Sequence, residues 1–496
     1  MQKIQKNDEL ELLIEDITAE GEGIGRADGL ALFVKDAITG DRVRVKVMKM
    51  KKTYGYARLL EILEPSPART EPVCPVARQC GGCQLQHMKY AEQLKYKENK
   101  VKNCLERIGG LRVQKAAELM KEEGLAGYET GCEPVFVKEA LVEDACEGTS
   151  AAIFEPIIGM EEPFYYRNKA QFPVGRDKEG KLVTGFYAGR THSIIDISHC
   201  YIQAKVNETL LAEVKAFLVE ENIEPYNEET HSGLVRHILT RVGFTTDEIM
   251  VCLILNGEKL PASDKLVERL KKIEGMTSIC INVNTEKTNV ILGKKVKVLW
   301  GQGYITDYIG DIKYQISPLS FYQVNPVQTR RLYETALEYA GLTGNEVVWD
   351  LYCGIGTISL FLAQQAKQVY GVEIVPQAIE DAKKNAEING MDNVEFFVGA
   401  AEEVLPQKYK ESNGAMKAQV IVVDPPRKGC DERLLETVVR MEPERIVYVS
   451  CDPATLARDL KYLEGNGYQV RRVRACDMFG QSVHVETVCL LSKKAQ

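Results

Sequence analysis

The sequence predicts an α/β protein with three parts: an N-terminal OB-like β-barrel, a central mixed α/β domain and a C-terminal Rossmann-like domain. Short alternating strands separated by glycine turns fill residues 9–64. After residue 346, buried-strand runs end repeatedly in glycine turns or acids. A chain of 496 residues is also long enough for roughly three to four domains. We expect a barrel at 1–66, a cysteine cluster and helix at 67–110, an acidic insertion at 111–162, the central domain at 163–318 and the Rossmann-like domain at 319–496.

The net charge of −8 argues against a nucleic-acid partner until its distribution is considered. Between Glu118 and Glu162 lie twelve acidic residues and two lysines, so the remainder has a small positive balance. RNA would repel that acidic segment, and we expect it on the surface, away from any binding face. Its two cysteines, Cys132 and Cys146, are interpreted as incidental, with a peripheral metal site as the alternative.

The cellular location follows from what the sequence lacks. No run of about 18 apolar residues is present, so no membrane span is expected. The polar first eight residues do not resemble a signal peptide. These features predict a cytoplasmic protein, where fourteen cysteines serve metal binding, catalysis or packing rather than disulfides.

The predicted barrel carries a basic and aromatic stretch. Residues 42–58 contain seven Lys and Arg residues together with Tyr54 and Tyr56. Cations that contact phosphates beside rings that stack on bases suit single-stranded RNA. An ordinary solvated strand face is the alternative. The pattern resembles the TRAM domain, an OB-like RNA-binding barrel found on RNA-modifying enzymes.

A cysteine cluster follows the barrel. Cys74, Cys80 and Cys83 have the spacing C-x5-C-x2-C, with glycines that allow a tight wrap, and Cys200 is the leading candidate for a fourth ligand. Clustered thiolates suit zinc or an iron–sulfur cluster, and the spacing does not choose between them. Packing is the alternative. A helix over residues 90–108, stopped by Gly109 and Gly110, is expected next.

Two stretches of the central domain mix rings, cations and amides. They are residues 165–172 and 231–237. Such a mixture is typical of a surface that contacts unstacked bases, although each stretch could equally be a polar strand edge.

The C-terminal domain contains a nucleotide-binding pattern. A buried strand at 346–351 runs into the glycine turn 352–357 and a helix, and a second strand ends at Glu373 about 20 residues later. This is half of a doubly wound fold, in which Glu373 can bind ribose hydroxyls. The turn lacks the dinucleotide G-x-G-x-x-G pattern, which favours S-adenosylmethionine over NAD. Strand 420–423 ends in Asp424 at the same carboxyl edge.

Cys451 is the candidate nucleophile. Residues 447–460 predict a short buried strand, a tight turn at 451–453 and a helix. A thiol at a strand end beside a helix N-terminus is expected to have a lowered pKa and to react as a thiolate. A buried structural cysteine is the alternative. Glu486 lies near the start of a later strand.

These motifs resemble the RNA (uracil-5-)-methyltransferase family, specifically the bacterial 23S rRNA branch with an N-terminal TRAM domain. Residues 450–459 resemble the family's nucleophile signature, residues 484–486 its general-base signature and residues 320–325 its F-x-Q-x-N element. Asp452 stands where Asn is common, and Gly480 and Ser482 replace the usual Pro and Thr.

The resemblance implies transfer of a methyl group from S-adenosylmethionine to C5 of a uridine in 23S rRNA, with Cys451 as nucleophile and Glu486 as base. It implies that four residues contact S-adenosylmethionine: Gln323, Tyr352, Glu373 and Asp424. It further implies that four cysteines hold a [4Fe–4S] cluster: Cys74, Cys80, Cys83 and Cys200. We expect a monomer whose partner is RNA, single-stranded or refolded, and no membrane.

Other functions remain open. A tRNA uracil-5-methyltransferase shares the catalytic half, although the barrel and cysteine cluster favour the rRNA branch. An enzyme that methylates cytosine is disfavoured because no cysteine follows the proline after Asp424. A non-catalytic RNA-binding ribosome-assembly factor would have little use for Cys451 and Glu486.

Overall fold

The computed structural model describes residues 4–116, 151–189 and 191–494. Most of the acidic segment, with Cys132 and Cys146, lies outside these residues, and so do the expectations attached to it. The described residues form a closed five-stranded barrel, a seven-stranded sheet, a two-stranded hairpin and a nine-stranded sheet.

The N-terminal barrel confirms the predicted β-barrel. Its strands are β1 (Glu9–Ile17), β2 (Gly23–Ala27), β3 (Leu30–Val34), β4 (Arg42–Met50) and β5 (Tyr54–Glu64), closed in the order β1-β2-β3-β5-β4. Alternate residues such as Leu32, Val34 and Val45 are fully buried inside it. Strand alternation therefore directs Phe33, Tyr54 and Tyr56 outward, with neighbouring ring centroids 5.6 to 5.7 Å apart.

A long helix leads from the barrel toward the C-terminal sheet. Helix α1 (Tyr90–Cys104) continues as one π-helical turn (Leu105–Gly109) and stops at Gly110, whose φ is 72°. Strands β6 (Val113–Lys115) and β7 (Ala152–Ile158) then flank the acidic segment.

The central domain is a seven-stranded sheet with helices on one face. Its strands have the order β10-β9-β8-β11-β12-β13-β14. They are β8 (Lys169–Arg176), β9 (Leu182–Tyr187), β10 (Ile194–Asp196), β11 (Val235–Val242), β12 (Ile249–Leu255), β13 (Met276–Val283) and β14 (Lys295–Gly301). Helices α2 (Asn207–Glu220) and α3 (Ser263–Leu270) cover the face that carries Phe172 and Ile238.

A hairpin and a helix join this domain to the last one: β15 (Ile305–Ile309), β16 (Ile312–Ile316) and α4 (Pro326–Ala340). The first half of the last domain is β17 (Val347–Leu351), α5 (Thr357–Ala363), β18 (Gln368–Glu373), α6 (Pro376–Ile388), β19 (Val394–Val398) and α7 (Ala401–Glu411). The second half is β20 (Val420–Val423), α8 (Glu432–Met441), β21 (Arg445–Ser450), α9 (Pro453–Gly465), β22 (Tyr468–Cys476) and β23 (Glu486–Lys493).

The nine-stranded sheet has the order β19-β18-β17-β20-β21-β23-β22-β7-β6. The first five strands are parallel and β23 is antiparallel to both of its neighbours. Strand order reverses beside β17, where successive connections leave in opposite directions. Ligands of doubly wound folds bind in the crevice at this switch point. The doubly wound α/β architecture predicted from the sequence is confirmed.

Strands β6 and β7 were not anticipated, since residues 111–162 were expected to be a surface insertion. β7 pairs with β22 and β6 with β7, both in parallel. Ile153 and Phe154 are almost fully buried there, so this apolar run extends the main sheet despite its acidic neighbours. The residue ranges given above for the domains remain predictions. No helix in the described residues is long and apolar enough to cross a membrane.

Candidate active site

Three strands bring their functional residues to one edge of the sheet. Asp424 follows the last residue of β20 and Cys451 that of β21, and β23 begins at Glu486. The last pair between β21 and β23 is Ser450 with Thr487, and Cys451 and Glu486 are the next residues beyond it, near enough for the Glu486 charge to act on the Cys451 thiol. The structure thus brings together the predicted nucleophile, the predicted base and Asp424.

The glycine turn after β17 approaches this edge through unusual backbone geometry. Tyr352 has a φ of 74°, which is strained for a bulky residue. Its N–H and that of Cys353 both donate to the Val372 carbonyl, each at 3.0 Å. A Cβ on Gly356 would lie 3.0 Å from the Phe396 ring, whereas one on Gly354 would contact nothing within 4 Å. The turn therefore packs on one side and leaves open space on the other.

Polar groups beside the turn suit the parts of S-adenosylmethionine. Buried Asp350, at the end of β17, accepts from the Ser359 hydroxyl at 2.5 Å, and its other oxygen, Oδ1, has no partner among the described residues. Glu373 closes β18, accepting from the Val375 N–H at 2.9 Å. Next to it, Ile374 is 68% exposed. The Glu373 carboxylate beside the exposed Ile374 side chain fits ribose hydroxyls and an adenine ring, so the residues present fit the cofactor.

Gln323 is held by the central domain. The Asn168 side chain donates to the Gln323 carbonyl at 3.0 Å, and its backbone N–H donates to the Val324 carbonyl at 2.8 Å. Asn325 then caps α4 by accepting from the Gln328 N–H at 3.2 Å. The F-x-Q-x-N element is therefore a rigid connection between the two domains.

The carboxyl groups at the edge have raised pKa values. Burial, and then the charge of Asp424, raise the pKa of Glu486 to about 8, with Arg427 opposing. Burial and Asp350 raise the pKa of Asp424 to about 7. Burial raises that of Asp350 to about 7, with Glu373 adding to it. An acidic cluster of this kind is stabilised by a proton or by a bound cation.

The expected lowering of the Cys451 pKa is wrong for this structure. Burial, followed by the charges of Glu486 and Asp424, raises the pKa of this thiol to about 12, with Arg427 opposing. These effects outweigh the lowering of the pKa that was expected from the N-terminus of α9. At that terminus the Asp452 side chain accepts from the N–H groups of Ala454 and Thr455 at 2.9 and 3.1 Å. The thiol therefore needs a base or a nearby cation to ionise.

One buried carboxylate ties the Asp424 loop to the helix that follows Cys451. Asp459 accepts from the Cys430 N–H at 2.8 Å and from the Tyr448 hydroxyl at 2.6 Å. A Cβ on Gly429 would lie 2.6 Å from the Asp459 carboxylate and from Arg458. The sequence analysis did not single out Asp459; its place one turn after Thr455 in the nucleophile signature is the signal that could have.

The segment before Glu486, residues 477–485, is held by distant parts of the chain; we call it the base loop. Fully buried Lys97 of α1 donates to Asp477 at 2.5 Å, and the Tyr90 hydroxyl donates to the same carboxylate at 2.8 Å. Gln93 donates to the Gln481 side chain at 2.9 Å. Nothing local in the sequence marks these residues as partners of the site.

The four predicted cluster cysteines lie near one another but do not converge on one ion. Charges on Cys200, Cys80 and Cys74 add to burial in raising the pKa of the Cys83 thiol to about 12. Cys83 and Cys200 also pack around the same buried side chains, which include Met160. Within the described ranges, however, no three His, Cys, Asp or Glu side chains are arranged to hold a single metal ion.

Together, the doubly wound sheet and its edge define a methyltransferase fold. The comparisons agree: the tRNA (uracil-5-)-methyltransferase family model matches residues 160–494 and the TRAM domain model residues 3–60. The chain belongs to this family of S-adenosylmethionine-dependent RNA uracil-5-methyltransferases.

Two relatives and one solved structure span nearly the whole chain. An uncharacterized RNA methyltransferase of Halalkalibacterium halodurans is 51% identical over 99% of this chain and 98% of its own. One of Clostridium tetani is 46% identical, covering 99% and 97%. The crystal structure of Pyrococcus abyssi tRNA (uracil-54, C5)-methyltransferase with S-adenosyl-L-homocysteine has a TM-score of 0.73 at 28% identity, covering 97% of this chain and 99% of that one.

Proposed function

We propose that this protein methylates C5 of a specific uridine in 23S rRNA through a covalent adduct between Cys451 and C6 of the base. The single observation that supports the chemistry is that Cys451 and Glu486 come directly after the last pair between β21 and β23, near enough for the Glu486 charge to act on the thiol. A thiol and a buried carboxyl group facing one another suit nucleophilic addition paired with proton removal.

The residues proposed to hold S-adenosylmethionine are Gln323, Tyr352, Glu373 and Asp424. When bound, it supplies an electrophilic methyl group on a sulfonium cation. The raised pKa values of Asp424 and Glu486 are consistent with an edge that accommodates positive charge, because a cation there would favour their ionised forms.

Carbon 5 of uracil is a poor nucleophile until C6 is attacked. The Cys451 sulfur adds to C6, and electron density then develops at C5. The proton released by the thiol has an acceptor close by in Asp424, whose raised pKa matches proton transfer near neutral pH, so Glu486 stays available for the later step. After C5 is methylated, Glu486 takes the C5 proton, the bond between sulfur and C6 breaks, and the thiolate leaves.

Two variants test this scheme, one by the loss of methyl transfer and the other by the accumulation of a covalent RNA adduct. Cys451→Ala is expected to abolish methyl transfer to RNA transcripts while leaving S-adenosylmethionine binding intact. Glu486→Gln is expected to accumulate an RNA adduct that survives denaturing electrophoresis. Near-normal methylation by Cys451→Ala would refute the nucleophile, and absence of an adduct with Glu486→Gln would refute the base.

The substrate remains a proposal with one competitor. A tRNA substrate is the second candidate, because the structurally similar Pyrococcus abyssi enzyme carries a tRNA name. Mapping 5-methyluridine in rRNA and tRNA from a deletion strain separates the two. If the deletion strain keeps 5-methyluridine in both RNAs and the protein transfers no methyl group to transcripts in vitro, a non-catalytic assembly factor is favoured instead. A cytoplasmic location and a monomeric state remain predictions alongside.

We also propose that Cys74, Cys80, Cys83 and Cys200 hold a [4Fe–4S] cluster. A cluster of four irons spans more space than one ion, so neighbouring thiols that do not converge on a single point are compatible with it. Methyl transfer moves no electrons overall, so its role would be structural or in positioning RNA. Iron and sulfide quantitation after anaerobic purification tests this, and stoichiometric zinc would contradict it.

A further inference from the structure

We propose that Arg167, Lys169 and Arg241, the cation cluster, bind one phosphate group of the RNA backbone beside the target uridine. The proposal deepens the proposed function and rests on RNA being the substrate. It assigns to these side chains the binding of the RNA backbone, which the proposed cofactor residues and the cysteines do not perform.

Two members of the cluster sit on one face of the central sheet. Lys169 of β8 pairs directly with Arg241 of β11, so their side chains share a face. The opposite face carries Phe172 and Ile238 under the helices. The Lys169 face therefore turns away from the helices, toward the segment that carries Ser320, whose carbonyl accepts from the Arg241 guanidinium.

Buried donors in the cluster lack partners. Arg241 is 2% exposed, and its Nε has no hydrogen-bond partner in the described chain. The Nε of Arg167 is likewise buried and unpartnered there. Buried polar groups are normally hydrogen-bonded, so unsatisfied donors on two guanidinium groups that both act on Lys169 are available to an acceptor.

The cluster also lacks a counter-charge. No ion pair joins a described carboxylate to Arg167, Lys169 or Arg241, in contrast to buried Lys97 with its Asp477 partner. Burial, then Arg241 and Arg167, lower the pKa of Lys169 to about 7. Three neighbouring cations repel one another, and a bound anion would offset that repulsion and raise the pKa of Lys169 again.

The cluster adjoins Gln323 through Asn168, but its contact with the base loop favours RNA as the source of the anion. The Arg167 guanidinium lies 5.8 Å from the ring centroid of Phe479 in the base loop. The Phe479 ring contacts the imidazole of His484, two residues before Glu486. The proposed cofactor residues Tyr352, directly after β17, and Glu373, the last residue of β18, lie three and four strands away from the base strand β23.

The target base must leave its stack before it can reach Cys451. Its neighbouring backbone phosphates then come close to the candidate active site. A phosphate held by the cation cluster would set the register of the strand without reading its sequence. Arg, with its fork of donors, and Lys, with its compact charge, are the side chains that perform this role in RNA-binding proteins.

The test measures how salt affects binding of a fluorescein-labelled single-stranded RNA to the full-length protein. Lys169→Met is expected to weaken binding roughly tenfold at low salt and to reduce the salt slope, log K against log salt, by about 0.7, the value for one lost phosphate contact. Lys169→Arg should restore both. Lys178→Met, at an exposed turn of the same domain, is the matched control and should change neither.

Two results would overturn the proposal. One is a Lys169→Met protein with an unchanged salt slope. The other is weaker S-adenosylmethionine binding, measured calorimetrically, without an effect on RNA, which would assign the cluster to the cofactor. Should Lys169→Met fail to fold, Lys169→Gln takes its place under the same criteria. Failure of the wild-type protein to bind or methylate RNA would refute the proposed function instead.

Discussion

Replacing Glu486 by Gln should make the Cys451 thiol ionise at lower pH. Glu486 is the largest charge acting on this thiol, whose pKa is raised to about 12. Removing the carboxylate removes its repulsion of the thiolate, while burial and Asp424 continue to raise the pKa. The midpoint should therefore fall but stay above the ordinary value for cysteine, about 8.5.

The size of this change follows from the strand register. Directly opposed residues of antiparallel strands have Cβ atoms about 5 Å apart. Two unit charges at that separation interact by about 3 kcal/mol at an effective dielectric constant near 20. This corresponds to roughly two pKa units, so the midpoint should move from about 12 toward roughly 10.

The assay is the rate of iodoacetamide alkylation at Cys451 as a function of pH, read by peptide mass spectrometry because other described cysteines are also free. Glu444→Gln is the matched control, since Glu444 is exposed and precedes the opposite end of β21. An unchanged or higher midpoint in Glu486→Gln, or an equal decrease in Glu444→Gln, would refute the assignment of the opposed pair.

The same substitution should change how stability depends on pH. The pKa of Glu486 is raised from 4.5 to about 8 in the folded protein. Between these values the folded state binds more protons than the unfolded state, so this group costs stability as pH rises through that window. Glu486→Gln removes the cost. The difference in melting temperature between variant and wild type should increase from acidic to mildly alkaline pH, and a constant difference would contradict the raised pKa.

Three further substitutions test the surroundings of the site. Tyr352→Gly should weaken S-adenosylmethionine binding, as calorimetry can measure, even though glycine tolerates the φ of 74° without strain; unchanged affinity would show that Tyr352 does not contribute to cofactor binding. Gly429→Ala should destabilise the protein well beyond Gly390→Ala in thermal melts, because both glycines have positive φ but only the first has atoms 2.6 Å from an added Cβ. Lys97→Met should cost about 3–5 kcal/mol by leaving Asp477 buried and unpaired; failure of Lys97→Met/Asp477→Leu to recover stability would argue against that cause.

The sequence analysis identified the elements whose local pattern is strong. The strands that end at Leu351, Glu373, Val423 and Ser450 follow from apolar runs that stop at a glycine turn, an acid or a cysteine. The residues that follow these strands could then be placed at one edge of the sheet, because parallel strands have their carboxyl ends at the same edge. For this reason Cys451 and Asp424 could be expected at one site before any geometry was available.

What the sequence analysis missed depends on contacts between residues far apart in the chain. The Cys451 pKa was misjudged because its dominant neighbour, Glu486, is set opposite it by an antiparallel pairing that no local pattern specifies. Lys97 looks like a solvated residue of an amphipathic helix, yet its partner Asp477 lies 380 positions later. β7 was hidden because its apolar run follows an acidic stretch that dominated the composition.

The participation of β6, β7 and α1 in the C-terminal sheet has a practical meaning for anyone dissecting the protein. A fragment beginning at residue 319 would expose β22 as an open strand edge, with its backbone groups available to other molecules. It would also leave Asp477 buried without its partner Lys97. Such a truncation would be prone to aggregation and would have a displaced base. The segment that carries α1, β6 and β7 is therefore part of the scaffold of the candidate active site.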